Sequence, residues 1–172
     1  MLKLFKTILK TGEATLKYPF EPAPVSDNFR GKPVHHPGQC IACAACAIAC
    51  PSNALSIDTD TENATRTWTL NVGRCIFCAR CEEVCPTKAI ALSKEFELAV
   101  ANKGDLVQTA TFNLARCTSC DKPFAPLKEV EYAIDLLRQS GISPAAVEAR
   151  RTLMHTCTDC KRRQSLPMPL RV

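Results

Sequence analysis

Cys40-Ile41-Ala42-Cys43-Ala44-Ala45-Cys46-Ala47-Ile48-Ala49-Cys50-Pro51 and Cys75-Ile76-Phe77-Cys78-Ala79-Arg80-Cys81-Glu82-Glu83-Val84-Cys85-Pro86 are one phrase written twice, 35 residues apart. Each reads C-x2-C-x2-C-x3-C-P. Three cysteines at that spacing wrap one compact cluster in a single tight loop. In the bacterial two-cluster pattern, the fourth precedes a proline and ligates the other cluster. The spacing therefore predicts two cubane [4Fe-4S] clusters. One takes Cys40, Cys43, Cys46 and Cys85; the other takes Cys75, Cys78, Cys81 and Cys50. Two zinc sites are a poor alternative, because zinc motifs space their ligands more widely. The crossing places the clusters side by side, and neither half completes a site alone.

The chain has 172 residues, enough for one domain or one plus an appendage. Hydrophobic residues make up 46% but aromatics only 6%, so the organic core is modest and cofactors brace the fold. Twelve cysteines could form a disulfide framework in a small secreted protein. No secretory signal is visible, and the cysteines cluster at ligand spacing, so metal ligation in a reducing cytosol is expected. The formal charge of +5 counts thiols as neutral. Two cubanes and one tetrathiolate metal site bring it to roughly −1, so the basic count is no argument for nucleic acid. No G-x-G-x-x-G, Walker motif or nucleophile–base pair stands out. The composition points to a carrier with no catalytic residues of its own.

Three segments follow: an N-terminal amphipathic helix with a Pro-rich docking strap (1–37), a dicluster ferredoxin domain (38–112), and a four-cysteine metal-binding helical module with a tail (113–172). In residues 1–17, Leu2, Leu4, Phe5, Ile8 and Leu9 share one arc of a helical wheel. Lys3, Lys6 and Lys10 share the other, and Gly12 is a stop signal. The helix is too short to span a bilayer. It packs on its own domain or docks on a membrane subunit or lipid; the separating strap favours docking. Residues 18–37 hold five prolines and should be extended and irregular. His35 and His36 read as loop residues, since eight cysteines already complete two ligand sets.

Between the phrases, residues 58–63 are turn-like and Trp68-Thr69-Leu70-Asn71 alternates with period two, predicting a short hairpin. Residues 96–100 read as a further strand. Asn102 reads as an N-cap with Asp105 at the third helical position, predicting a short helix over 105–111. Residues 129–139 carry an amphipathic helix ending before Gly141. Ser143-Pro144 opens another, running to about Leu153. Lys161, Arg162, Arg163, Pro167 and Pro169 read as a polar tail. The two loops differ: the first has no formal charge, while Arg74, Arg80, Glu82, Glu83 and Lys88 surround the second. Either the clusters differ in potential or these charges simply face water.

Cys117-x2-Cys120 and Cys157-x2-Cys160 are two knuckles with 36 residues between them, more than the usual ribbon gap of about 15–20. The two helices can fill that gap and bring the knuckles together. Four thiolates suit Zn2+ or a single rubredoxin-type iron. Iron would be a third redox stop; a structural zinc is the favoured reading. A thioredoxin-like motif is disfavoured because no βαβ pattern surrounds either pair.

The segments CIACAACAIACPSNAL, LNVGRCIFCARCEEVCPTKAI and FELAVANKGDL resemble the ferredoxin-like, two-cluster subunit of respiratory complex I. With the N-terminal LKTGEATLKYPFEP, the NFRGKP strap and the extra cysteine module, the likeness is closer to the matching subunit of formate hydrogenlyase and hydrogenase-4 complexes. It covers most of residues 1–160. The resemblance implies an α+β dicluster bacterial-type ferredoxin fold. It implies an electron-relay subunit, peripheral, on the cytoplasmic side of the inner membrane. Its implied partners are the small and large subunits of a [NiFe] hydrogenase, a four-cluster ferredoxin-like subunit on the formate dehydrogenase side, and a membrane-arm subunit that receives the N-terminal helix. A free soluble dicluster ferredoxin, or the equivalent complex I subunit, are the alternatives. Many ferredoxins place Gly after the second cysteine of each loop, where this chain has Ala44 and Ala79. Ala tolerates positive φ poorly, so these loops are expected to be slightly altered.

Overall fold

The structure, a computed structural model, describes residues 2–12 and 15–165. The expected tail residues Pro167 and Pro169 lie outside them. In chain order the elements are α1 (Leu2–Thr11), β1 (Pro33–His35), α2 (Ala45–Ile48), β2 (Leu55–Asp60), β3 (Thr65–Asn71), α3 (Arg80–Val84), β4 (Ile90–Leu92), β5 (Val107–Arg116), β6 (Pro123–Pro126), α4 (Leu127–Gln139), α5 (Pro144–Met154) and α6 (Thr158–Ser165). The mixture of helix and sheet is the α+β class read from the sequence.

The expected hairpin forms. β2 and β3 pair antiparallel around a turn in which the Asp60 carboxylate accepts from the backbone N–H groups of Glu62 and Asn63. β1 and β4 make a separate two-stranded antiparallel sheet. The two pairings obey the same 35-residue offset as the cysteines. Pro33 faces Leu92, Val34 faces Ala91 and His35 faces Ile90; Trp68 faces Ile57, Thr69 faces Ser56 and Leu70 faces Leu55. The repeat therefore begins before the first cysteine and includes a strand on either side of each loop.

β2, β3, β5 and β6 form one antiparallel sheet in that order. Trp68, Leu70, Leu55, Ile90, Val72 and Phe112 build a core beneath the cysteine loops. Ala115, Val130, Ile134 and Val147 build a second one under α4 and α5. β5 serves both. A register irregularity at Ala115/Arg116 lets Leu114 and Ala115 be buried in succession, so one strand turns from the first core to the second. At the same seam Lys128 donates to the carbonyl oxygens of Pro37 and Gly38 at 2.8 and 3.1 Å.

β5 corrects one expectation. Residues 105–111 are not a helix. Asn102 does cap, accepting from the Gly104 N–H at 2.9 Å, but what it starts is a single 3-10 turn over Lys103–Leu106. From Val107 the side chains alternate in burial as a strand, and β3 pairs with Val107–Asn113 through its full length. Residues 96–100 are not a strand either. Phe96 instead packs against Tyr18 and Phe29 of the strap, ring centroids 6.2 and 5.9 Å away. The strap is irregular as expected, with turns at 18–20 and 27–28, except where β1 adds to β4. Gly31 and Lys32 also donate to the carbonyls of Ser93 and Glu95.

α1 ends at Gly12, whose φ is +58°. None of its residues is buried; Leu2 and Leu9 are 81% and 82% exposed. Its apolar arc does not pack on the chain's own domain. α4 and α5 lie as predicted, α4 ending before Gly141 at φ +84° and α5 capped by Ser143, whose Oγ accepts from Ala146 N–H. Arg151 of α5 grips the Glu131 carboxylate of α4 with two bonds of 2.8 and 3.1 Å. Lys161, Arg162 and Arg163 belong to α6 rather than to an irregular tail, because the knuckle at Cys157 itself starts that helix.

Candidate electron-transfer site

The repeated phrase folds twice into the same loop. Ala42 and Ala44 have φ of 56° and 67°; their counterparts Phe77 and Ala79 have 54° and 68°. Ala44 and Ala79 take up the positive φ themselves, and both loops share it. Each loop then runs into one short helix, α2 or α3. Backbone donors to sulfur repeat as well. Ala42 N–H reaches Cys40 Sγ at 3.4 Å, as Phe77 N–H reaches Cys75 Sγ at 3.4 Å. Ala54 N–H reaches Cys50 Sγ at 3.3 Å, as Ala89 N–H reaches Cys85 Sγ at 3.2 Å.

Two cavities of similar size, about 360 and 350 Å3 including space open to solvent, are lined by matching positions of the two repeats. The first is lined by Cys40, Cys43 and Cys46 of the first phrase and by Cys85 of the second. The second is lined by Cys75, Cys78 and Cys81 of the second phrase and by Cys50 of the first. The fold thus brings together the two sets of four cysteines that the spacing predicts.

Burial pushes the thiols of Cys40, Cys46 and Cys75 above their ordinary value and Cys81 up to about 11. The strongest opposing influence on Cys46 is the Trp68 indole N–H. Cys50 and Cys85 go the other way. Burial raises each, but for Cys50 it is overcome by the Ser52 hydroxyl and the N–H groups of Leu55, Ala54 and Ser52. For Cys85 the Thr87 hydroxyl and the N–H groups of Thr87, Ala89 and Ile90 do the same. The cysteine before each proline sits in a nest of donors that favours thiolate.

The surroundings fit a sulfur-rich anionic group. Soft thiol donors converge on largely apolar hollows. Around the first hollow, Trp68 Nε1 and His35 Nε2 are buried and make no well-formed hydrogen bond among the described residues; the indole N–H faces the Cys46 thiol. His35 is not a loop residue. It ends β1 and stacks on Trp68, ring centroids 3.8 Å apart and 17° from parallel. Burial lowers its pKa to about 4. His36, outside the strand, donates its N–H to the Ala89 carbonyl. Of the charged residues around the second loop, Arg80 pairs with Glu83 at 2.5 Å and the Glu82 carboxylate accepts from Leu92 N–H at 3.0 Å.

The second group is equally well gathered. One sulfur each from Cys117, Cys120, Cys157 and Cys160 lie within 4.8 Å of one another. Cys120 and Cys157 sulfurs are 3.8 Å apart. A tetrahedron with metal–sulfur bonds of about 2.3 Å has corners roughly 3.8 Å apart, so the cage suits a single ion. Thr118 N–H donates to His155 O at 3.0 Å and Cys157 N–H to Cys117 Sγ at 3.2 Å, closing one knuckle on the other. That second bond is the largest cause pulling the Cys117 thiol down to about 6. Cys160 is pushed up to about 12 by the thiols of Cys157 and Cys120. Four such groups ionise together only with a cation among them.

A ferredoxin-type carrier with two iron–sulfur sites and an appended four-cysteine site is the class defined by this fold. Residues 39–89 match the family described as 4Fe-4S dicluster domain. The chain is 52% identical over 166 residues to formate hydrogenlyase subunit 6 of Escherichia coli (strain K12), covering 96% of this chain and 91% of that one. It belongs to the family of formate hydrogenlyase subunit 6, and it is an iron–sulfur electron-transfer protein. It is also 37% identical over 57 residues to NADH-quinone oxidoreductase subunit I 1 of Koribacter versatilis (strain Ellin345), covering 30% of this chain and 38% of that protein. Among solved structures it is similar to a chain of the membrane-bound sulfane sulfur reductase, an archaeal respiratory membrane complex. There the TM-score is 0.46 and the identity 27%, over 58% of this chain and 53% of that one. No helix among the described residues is long and apolar enough to cross a membrane.

Proposed function

We propose that this chain relays electrons between a formate dehydrogenase-side donor and the small subunit of a membrane-associated [NiFe] hydrogenase. Cys40, Cys43, Cys46 and Cys85 hold one [4Fe-4S] cluster, and Cys75, Cys78, Cys81 and Cys50 hold the other. The observation that carries this is the crossing of Cys50 and Cys85 into each other's cavities. When bound, a cubane takes up and releases one electron. The residues of the chain keep water from the two hollows, supply N–H donors to the sulfurs and hold the hollows side by side.

The remaining parts brace and dock that unit. Segment 38–112 is the carrier. Segment 113–172 is pinned to it through β5 and Lys128, and its four cysteines hold a structural Zn2+, with mononuclear iron as the alternative occupant. Segment 1–37 is the anchor. The exposed arc of Leu2, Phe5 and Leu9 with Lys3, Lys6 and Lys10 opposite suits a membrane-arm subunit at the cytoplasmic face of the inner membrane. The direct neighbours are a four-cluster ferredoxin-like subunit on the donor side and the small subunit of the hydrogenase on the other, with its large subunit beyond.

Affinity purification of the tagged chain from cells grown on formate without oxygen tests this reading. It predicts co-purification of a [NiFe] hydrogenase and a formate dehydrogenase partner, and formate-dependent hydrogen evolution that the Cys43→Ser variant abolishes. With Leu4→Glu and Ile8→Glu together, the chain should keep its iron and lose the membrane arm. Recovery of the wild-type chain alone, with full iron content, would make it a free ferredoxin instead.

A further inference from the structure

The two cluster hollows are related by the 35-residue repeat almost side chain for side chain, so their differences can be named. Thr87 of the first is matched by Ser52 of the second, Ala89 by Ala54, Ile90 by Leu55 and Ile41 by Ile76. The backbone donors to sulfur match as well. In the loops, Ala42 and Ala45 of the first hollow are replaced by Phe77 and Arg80 in the second, and two strand positions differ as well. Trp68 of the first hollow corresponds to Pro33 of the second, and His35 corresponds to Leu70. Proline and leucine side chains carry no N–H. Trp68 and His35 each present a buried ring nitrogen that makes no well-formed hydrogen bond among the described residues, and the Trp68 N–H acts on the Cys46 thiol of the first set.

A buried indole N–H without an acceptor is costly, and native folds keep one only where a partner exists. Trp68 is buried, 1% exposed, in mid-strand, and is locked between β2 and β5 with His35 flat against it. We propose that the Trp68 Nε1–H donates to the iron–sulfur cluster held by Cys40, Cys43, Cys46 and Cys85, and that this bond makes it the higher-potential cluster of the pair. His35 is a positioning residue that fixes the indole plane. The inference rests on the two-cubane reading above.

Reduction adds negative charge to a cluster, so a donor to its sulfur stabilises the reduced form more than the oxidised one and raises the potential. The charged groups nearest the two loops also differ. Arg66 donates to the Ala42 carbonyl of the first loop at 3.1 Å. Arg80, the one cation lining the second hollow, is exposed and paired with Glu83. By virtue of the indole bond, an electron shared by the pair rests at the first site.

Trp68 is the single tryptophan of the chain, which makes the test direct. Protein labelled with 15N at the indole is reduced, and its EPR signals are examined by pulsed hyperfine spectroscopy. The first-site signal is the one altered by Cys43→Ser. A 15N coupling on that signal, absent from the other, is expected. In redox titration Trp68→Phe should lower the higher of the two potentials alone, by about tenfold in the reduction equilibrium or about 59 mV. His35→Phe keeps the stack and should retain the 15N coupling. Absence of coupling, or coupling on the other signal, overturns the proposal even if Trp68→Phe fails to assemble. So does a shift of both potentials or neither in an assembled variant. Iron and sulfide analysis of the same samples reports separately on the two-cubane reading.

Discussion

Ala44 and Ala79 share one left-handed backbone conformation, φ 67° and 68°, at matching positions of the two cysteine loops. Each immediately precedes a short helix and lets the loop fold back around its cavity. An L-residue in this region costs about 1–2 kcal/mol. Gly relieves that strain but loses roughly 0.5–1 kcal/mol to chain entropy. Ala44→Gly and Ala79→Gly should each stabilise the iron-loaded protein by about 0.5–1 kcal/mol, raising Tm by roughly 1–4 °C. Ala47→Gly, within α2, should lower it. Thermal melts followed at the cluster absorbance under argon check this.

Gly31 stands where the strap crosses the carrier. A Cβ there would collide with the Glu95 backbone carbonyl and lie 2.8 Å from Ser93 O. Both acceptors are backbone and pair with Gly31 and Lys32. Gly31→Ala should cost about 1–3 kcal/mol and loosen β1 from β4. Gly38, with nothing within 4 Å of its Cβ position, should accept Ala with little change. Chemical denaturation of the two variants, and amide exchange at Lys32, measure the difference.

The fold was legible where local signals and long-range packing agree. The cysteine phrases, the hairpin, the Ser143 cap and the stop at Gly141 are carried by residues close in sequence. β1 was not legible, since three residues of a proline-rich strap become a strand only because residues 90–92 lie beside them. The Asn102 cap is real but is outweighed after one turn by the β-branched alternation from Val107 and the long pairing with β3. His35 looked like loop for the same reason as β1. Trp68 was legible as part of a strand of period-two alternation, but the use of its N–H was not, because the Cys46 sulfur it faces lies on the distant first cysteine loop.

Cys117 and Cys157 are joined by a 3.2 Å N–H to sulfur bond across the two knuckles. Cys157→Ser should remove one metal per chain and free α6, while the two iron–sulfur clusters stay, since their cavities share no residue with this cage. Metal analysis with cluster absorbance distinguishes this from general loss of the fold. Zinc released from the wild-type protein by a thiol-modifying reagent, without loss of cluster absorbance, is the expected companion result.

The central claim is that Cys50 and Cys85 each serve the other phrase's cluster, and EPR of single Cys→Ser variants tests it most directly. Cys85→Ser should perturb the same signal as Cys46→Ser, and Cys50→Ser the same signal as Cys81→Ser. If Cys85→Ser instead altered the signal that Cys81→Ser alters, each phrase would hold its own cluster and the crossed arrangement would be wrong.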